Sequence, residues 1–89
     1  MTVLMRFSAP GMDQATYDQI APGLHPLLKK QPGFIMHVAY PITGGFAVGE
    51  VWESQAQQEA WYNEFVKPNL PDPDAMSTEY FELHAVVQP

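Results

Sequence analysis

The chain predicts an α+β domain in which a four-stranded antiparallel sheet carries two helices on one face. Three observations carry that prediction. Two apolar, aromatic and β-branched runs, 34–40 and 46–52, flank Gly44-Gly45, the pattern of a β-hairpin. A strand-like run and then a helix-like run precede the hairpin, and a helix-like and then a strand-like run follow it. The 89 residues make a single domain, 1–89, with no room for a second.

Residues 2–8 alternate as a strand, with Val3, Met5 and Phe7 on one side and Leu4 and Arg6 on the other. Pro10-Gly11 ends it. Asp13 is placed to cap a helix whose apolar stripe is Tyr17, Ile20, Leu24 and Leu27 or Leu28. Pro22 and Pro26 fall inside that stripe, and an interior proline costs about 3 kcal/mol of helix propensity, so a kink or two short helices are expected. Gln31-Pro32-Gly33 closes the element and the hairpin follows. Ser54-Gln-Ala-Gln57 has the form of a capping box and opens a second helix, ended by Pro68, with Ala60, Trp61 and Phe65 on its buried side. A proline- and aspartate-rich loop, 69–76, leads to a last strand over 78–87. Strand, helix, strand, strand, helix, strand is the ferredoxin-like βαββαβ arrangement.

Composition narrows the function. The net charge is −6, and the only lysines and arginines are Arg6, Lys29, Lys30 and Lys67. A nucleic-acid footprint needs clustered cations, so nucleic acid is excluded as a partner, and anionic membrane surfaces with it. No apolar run approaches the ~20 residues of a membrane span, and no signal peptide is evident, so a cytoplasmic protein is expected. Without cysteine there is no thiol nucleophile, disulfide or thiolate metal site. Charged residues are 16%, against roughly 25% in average soluble domains. Apolar surface is then left over for a second copy of the chain.

With Gly44-Gly45 as the turn, His37 lies opposite Trp52, Ala39 opposite Glu50 and Pro41 opposite Val48. Val3, Met5, Phe7, Val38, Val51, Phe81, Leu83 and Val87 form a uniformly apolar set that should meet the helices. The open face then holds Arg6, His37, Glu50, Trp52, Tyr80, Glu82 and His84, an aromatic surface with convergent polar groups of the kind that lines small-molecule sites. His37 and Glu50 are candidate acid and base, with His84 completing the site; the alternative is a structural hydrogen bond in an interface. Trp52 either stacks on an aromatic ligand or is core, with Tyr80 and Glu82 beside it on the same face. Arg6 either makes an ion pair or holds an anionic group. His25, beside the expected kink, reads as a half-exposed structural residue. No metal site is expected, because no close ligand motif is present.

Pro32-Gly33, His37-Val38-Ala39, Gly44-Gly45-Phe46 and Val51-Trp52-Glu53-Ser54, within this element order and length, resemble small bacterial members of the dimeric α/β-barrel superfamily. That superfamily includes the antibiotic-biosynthesis-monooxygenase-like and stress-responsive barrel proteins. The resemblance implies a homodimer with facing sheets and a cavity between sheet and helices or in the barrel interior. Haem-degrading members are implied to use a histidine on the second helix. This chain has none there, so no cofactor is expected. Two functions follow as expectations. One is a cofactor-independent enzyme of monooxygenase, cyclase or isomerase type, acting on a hydrophobic, aromatic or polyketide-like molecule. The other is a non-catalytic binding or dimerisation module.

Overall fold

The computed structural model describes residues 1–89 and has the expected order of elements: β1 (Val3–Pro10), α1 (Gln14–Leu28), β2 (Phe34–Ile42), β3 (Gly45–Trp52), α2 (Gln55–Trp61) and β4 (Ser77–Glu82). The strands form one antiparallel sheet in the order β2-β3-β1-β4. This is the ferredoxin-like fold.

Both helix starts follow from their capping residues. The Asp13 carboxylate accepts the Thr16 amide at 2.8 Å, and the Ser54 hydroxyl accepts the Gln57 amide at 3.3 Å. Of the kink or two short helices expected near Pro22, the two helices do not occur: α1 is one helix through both prolines. Asp18, Pro22 and Pro26, spaced four apart, are all exposed. The ladder bonds that the prolines remove are thus lost on the solvent side, where water can satisfy the freed carbonyls. The second helix continues beyond α2 as a π-helical turn (Tyr62–Val66) and a 3-10 turn (Lys67–Asn69). Its buried side carries Gln58 and Trp61, while Ala60 is exposed.

The hairpin pairs two residues out of the expected register. Ile42 lies opposite Gly45, so Thr43-Gly44 is the turn, with Gly44 at φ +77°. His37 therefore faces Glu50, not Trp52. A shift of two keeps every side chain on its face, so His37, Glu50 and Trp52 remain together. A bulge at Ile35 turns Phe34 back onto the Trp52 side, where the two rings meet edge to face at 5.4 Å.

The larger correction concerns the two faces of the sheet. Val3 pairs with Trp52, Met5 with Glu50 and Phe7 with Val48. The residues of β1 that meet the helices thus share their face with His37, Glu50 and Trp52. Leu4, Arg6, Met36, Val38, Val51 and Phe81 lie on the uncovered face. There Met36, Val38 and Phe81 are 46%, 49% and 47% exposed. The apolar set expected to be one face is thus drawn from two. Both faces are rich in apolar residues, so alternation alone does not say which one the helices cover. The choice depends on the β1–β3 register, which no turn connects.

The core has two parts. Val3, Leu28, Trp52 and Trp61 pack at one end, and Met5, Phe7 and Ala9 pack towards Tyr62, Leu70 and Met76 at the other.

Candidate active site

Between the helix-covered face of the sheet and α1 lies a cavity of about 90 Å³. Thirteen of its seventeen lining residues are hydrophobic, among them Met5, Phe7, Leu24 and Leu70. The polar wall is His25, His37, Glu50 and Gln58.

Glu50 is 4% exposed and makes two hydrogen bonds. Trp52 Nε1–H donates to Oε1 at 3.0 Å, and His37 Nδ1 lies 2.7 Å from Oε2. The strand period of two brings Trp52 to Glu50, and the β2–β3 ladder brings His37. On its other side, His37 Nε2 lies 2.8 Å from the Tyr17 hydroxyl, which is also 3.1 Å from His25 Nε2. Tyr17 and His25 are eight residues apart on one stripe of α1, a rise of about 12 Å that the two long side chains close between them.

The proton inventory follows from these contacts. A Glu50 carboxylate only accepts, so neutral His37 carries its proton on Nδ1. Its Nε2 then accepts the Tyr17 O–H, and the Tyr17 oxygen accepts from His25 Nε2–H. From donor to acceptor the chain reads His25, Tyr17, His37, with Glu50 as the final acceptor. An added proton can pass along it by reversing the His25–Tyr17 and Tyr17–His37 bonds, leaving both His37 nitrogens protonated with Nδ1–H still donating to Glu50. Burial, then the nearby His37 and Lys29, push the His25 pKa below the usual 6.5, keeping this ring neutral. Burial, then the charge of Glu50, raise the Tyr17 pKa above 10, keeping the phenol protonated.

The other expected site residues lie elsewhere. Trp52 is fully buried in the core and does not line the cavity, so it orients Glu50 and presents no stacking surface. Tyr80 is on the helix-covered face but donates its hydroxyl to Gln58 Oε1 at 2.5 Å, behind the cavity wall. Arg6 is on the opposite face, where Nε donates to the Tyr40 hydroxyl at 3.3 Å and Nη1 lies 3.6 Å from Glu79. Glu82 is exposed at the end of edge strand β4. His84 is exposed beyond β4, which stops at Glu82 because only Leu83 N, bonding to Thr2 O, still finds a partner on the first strand.

Tyr17 and Gln58 are site residues that sequence reasoning passes over, and His25 is one that it reads as structural. Tyr17 counted only as part of an apolar stripe. The signal was there: a tyrosine and a histidine eight apart on a buried stripe have polar tips that need partners.

Solved structures with this architecture are several. A haem-degrading protein from Mycobacterium tuberculosis superposes with a TM-score of 0.68 at 22% identity, over 100% of this chain and 98% of that one. A protein of unknown function from Nitrosomonas europaea gives a TM-score of 0.68 at 18% identity, over 99% and 93%. SnoaB, a cofactor-independent oxygenase from Streptomyces nogalater, gives 0.63 at 12% identity, over 99% and 97%. The chain shares the ferredoxin-like fold of these structures. At these identities the likeness is one of fold. No protein-family model matches the chain, and no curated protein is similar to it in sequence. No helix of this fold is long and apolar enough here to cross a membrane.

Proposed function

We propose that the protein is a cofactor-independent, monooxygenase-type enzyme acting on a hydrophobic, aromatic or polyketide-like molecule, with His37 and Glu50 as its acid–base pair. The observation that carries this reading is the hydrogen-bonded chain Glu50–His37–Tyr17 at the wall of an apolar cavity. Likeness of fold to a cofactor-independent oxygenase and a haem-degrading protein supports it.

Both ring nitrogens of His37 are engaged, so a substrate proton reaches His37 through the Tyr17 oxygen. Glu50 stabilises the imidazolium that forms, as the carboxylate does in a Ser-His-Asp triad. The electron pair left on the substrate carbon forms a C–O bond to dioxygen. Returning the proton gives a hydroperoxide, and loss of water leaves a ketone. The sum is CH₂ + O₂ → C=O + H₂O, with carbon oxidised and dioxygen reduced by four electrons each.

The partner in this reading is a second copy of the chain, seated on the apolar outer face that carries Met36, Val38 and Phe81, and the setting is cytoplasmic. Oxygen-electrode assays of the purified protein on anthrones and hydroxynaphthalenes test the activity. Dioxygen uptake with matching ketone is expected, and its loss in His37→Gln. Uptake that His37→Gln leaves unchanged would rule out this acid–base pair.

A further inference from the structure

The cavity behind Tyr17 is small. Its volume of about 90 Å³ lies well below the roughly 300–1,000 Å³ of pockets for drug-sized ligands. An aromatic molecule of two or three rings does not fit inside without repacking α1. The same two histidines also face outward. His25 and His37 also line a second, open groove of about 340 Å³ between the end of α1 and the start of β2. That volume does match a ligand of the expected size.

The groove has a distinct chemistry. Leu28, Phe34 and Ile35 supply apolar lining, Met36 joins them where the groove meets the uncovered face, and Lys29 adds a cation. The chain has ten aspartates and glutamates against four lysines and arginines, yet no acidic residue lines this groove. Lys29 makes no ion pair: the two within 4.0 Å in this chain are Arg6–Glu79 and His37–Glu50. Lys29 caps the C-terminus of α1 four residues after His25, one helical turn on, and so lies on the same side as His25. His25 Nε2 is held by Tyr17, while Nδ1 has no protein partner. No buried side-chain nitrogen or oxygen in the chain lacks a partner, so this unpartnered Nδ1 of a partly buried residue is open to solvent. In the tautomer set by the hydrogen-bond chain, Nδ1 bears a free lone pair.

We propose that the outer groove is the binding site for a planar, apolar, anionic molecule, with its negative group against Lys29 and its acidic proton at His25 Nδ1. His25 is then the port of the proton chain, and half-buried His37, held by buried Glu50, is where the proton is kept. The step is a transfer only. Nδ1 takes the substrate proton, Nε2–H passes to Tyr17, and the Tyr17 proton passes to His37 Nε2. The binding site stands on groove chemistry alone; the port rests on the acid–base reading above.

The test uses 1-hydroxy-2-naphthoate and its methyl ester, titrated into the ¹⁵N-labelled full chain. Amide shifts at residue 29 and residues 34–37, with a change at the His25 ring nitrogens, are expected for the acid. The acid should bind about two- to fivefold more tightly than the ester, the range of one exposed ion pair, and Lys29→Gln should abolish that difference. Equal affinity for acid and ester overturns the proposal. So do shifts confined to the cavity residues Met5, Val48 and Leu70, or to the outer face at Val38 and Phe81, or no binding at millimolar concentration. If the acid binds in the groove while Glu50→Gln leaves dioxygen uptake unchanged, the binding site stands and the acid–base reading falls.

Discussion

Trp52 donates its indole N–H to Glu50, two residues earlier on the same strand, at 3.0 Å. The tryptophan is fully buried and the carboxyl group is 4% exposed, so this bond satisfies a buried polar group from within the core. It couples packing to chemistry: the residue that fills the core also holds the group that orients His37.

Trp52 is accordingly a stability residue. Trp52→Phe keeps most of the packing but leaves one Glu50 oxygen unpartnered, and should cost about 1–3 kcal/mol. Trp52→Ala also opens a cavity and should cost about 3–5 kcal/mol. Urea denaturation checks both, with the m-value unchanged for Trp52→Phe.

Glu50→Gln replaces an acceptor-only group by one that also donates. With Trp52 N–H claiming the amide oxygen, the amide NH₂ faces His37 Nδ1 and inverts its tautomer. Nε2 then carries the proton and the direction of the chain is reversed. If His37 and Glu50 are the acid–base pair proposed above, dioxygen uptake should fall about 10²–10⁴-fold. Imidazole ¹⁵N shifts should show the proton moving from Nδ1 to Nε2 of His37.

His84 and Glu82 are exposed at the chain end, away from the cavity. His84→Ala and Glu82→Gln should change stability by no more than about 0.5 kcal/mol and leave dioxygen uptake unchanged. Thermal melts and the oxygen electrode check this.

Stability should fall at both ends of the pH range, for opposite reasons. His25 has a folded pKa below its ordinary 6.5. As pH drops below 6.5 the unfolded chain takes up the proton first, so the contribution of His25 is present above 6.5 and is lost as pH falls through the folded value. Tyr80 is raised to about 12, by burial first and then by Glu59 and Glu50. Its contribution is present below 10 and is lost as pH rises from 10 towards 12. His25→Gln should flatten the acidic limb and Tyr80→Phe the alkaline one, measured by urea midpoints across pH.

A second copy seated on the uncovered face would bury Met36, Val38 and Phe81. Val38→Lys or Phe81→Lys should then convert a dimer into a folded monomer in sedimentation equilibrium. A wild-type monomer at millimolar concentration would contradict the homodimer.

Much of this was legible locally. Asp13 and Ser54 mark both helix starts, and the paired runs about Gly44 mark the hairpin, because caps and turns act over a few residues. His37 and Glu50 were legible as a pair because a turn fixes their register to within two, and a shift of two does not change a face. Tyr17 and His25 were less so. Their stripe was visible, but not the distance that two side chains eight residues apart can span. His84 was misplaced because an alternating pattern continues to Val87 while the ladder partner on β1 runs out.

Local signals in the chain carry the order of elements, their caps and the shared face of His37, Glu50 and Trp52. Which way that face points is a matter of long-range packing. The β1–β3 pairing joins strands separated by α1 and β2, so its register is set by which side chains can be buried together. Glu50 and His37 can be buried because Trp52 and Tyr17 supply their missing hydrogen bonds. Met36, Val38 and Phe81 are left outside as a consequence.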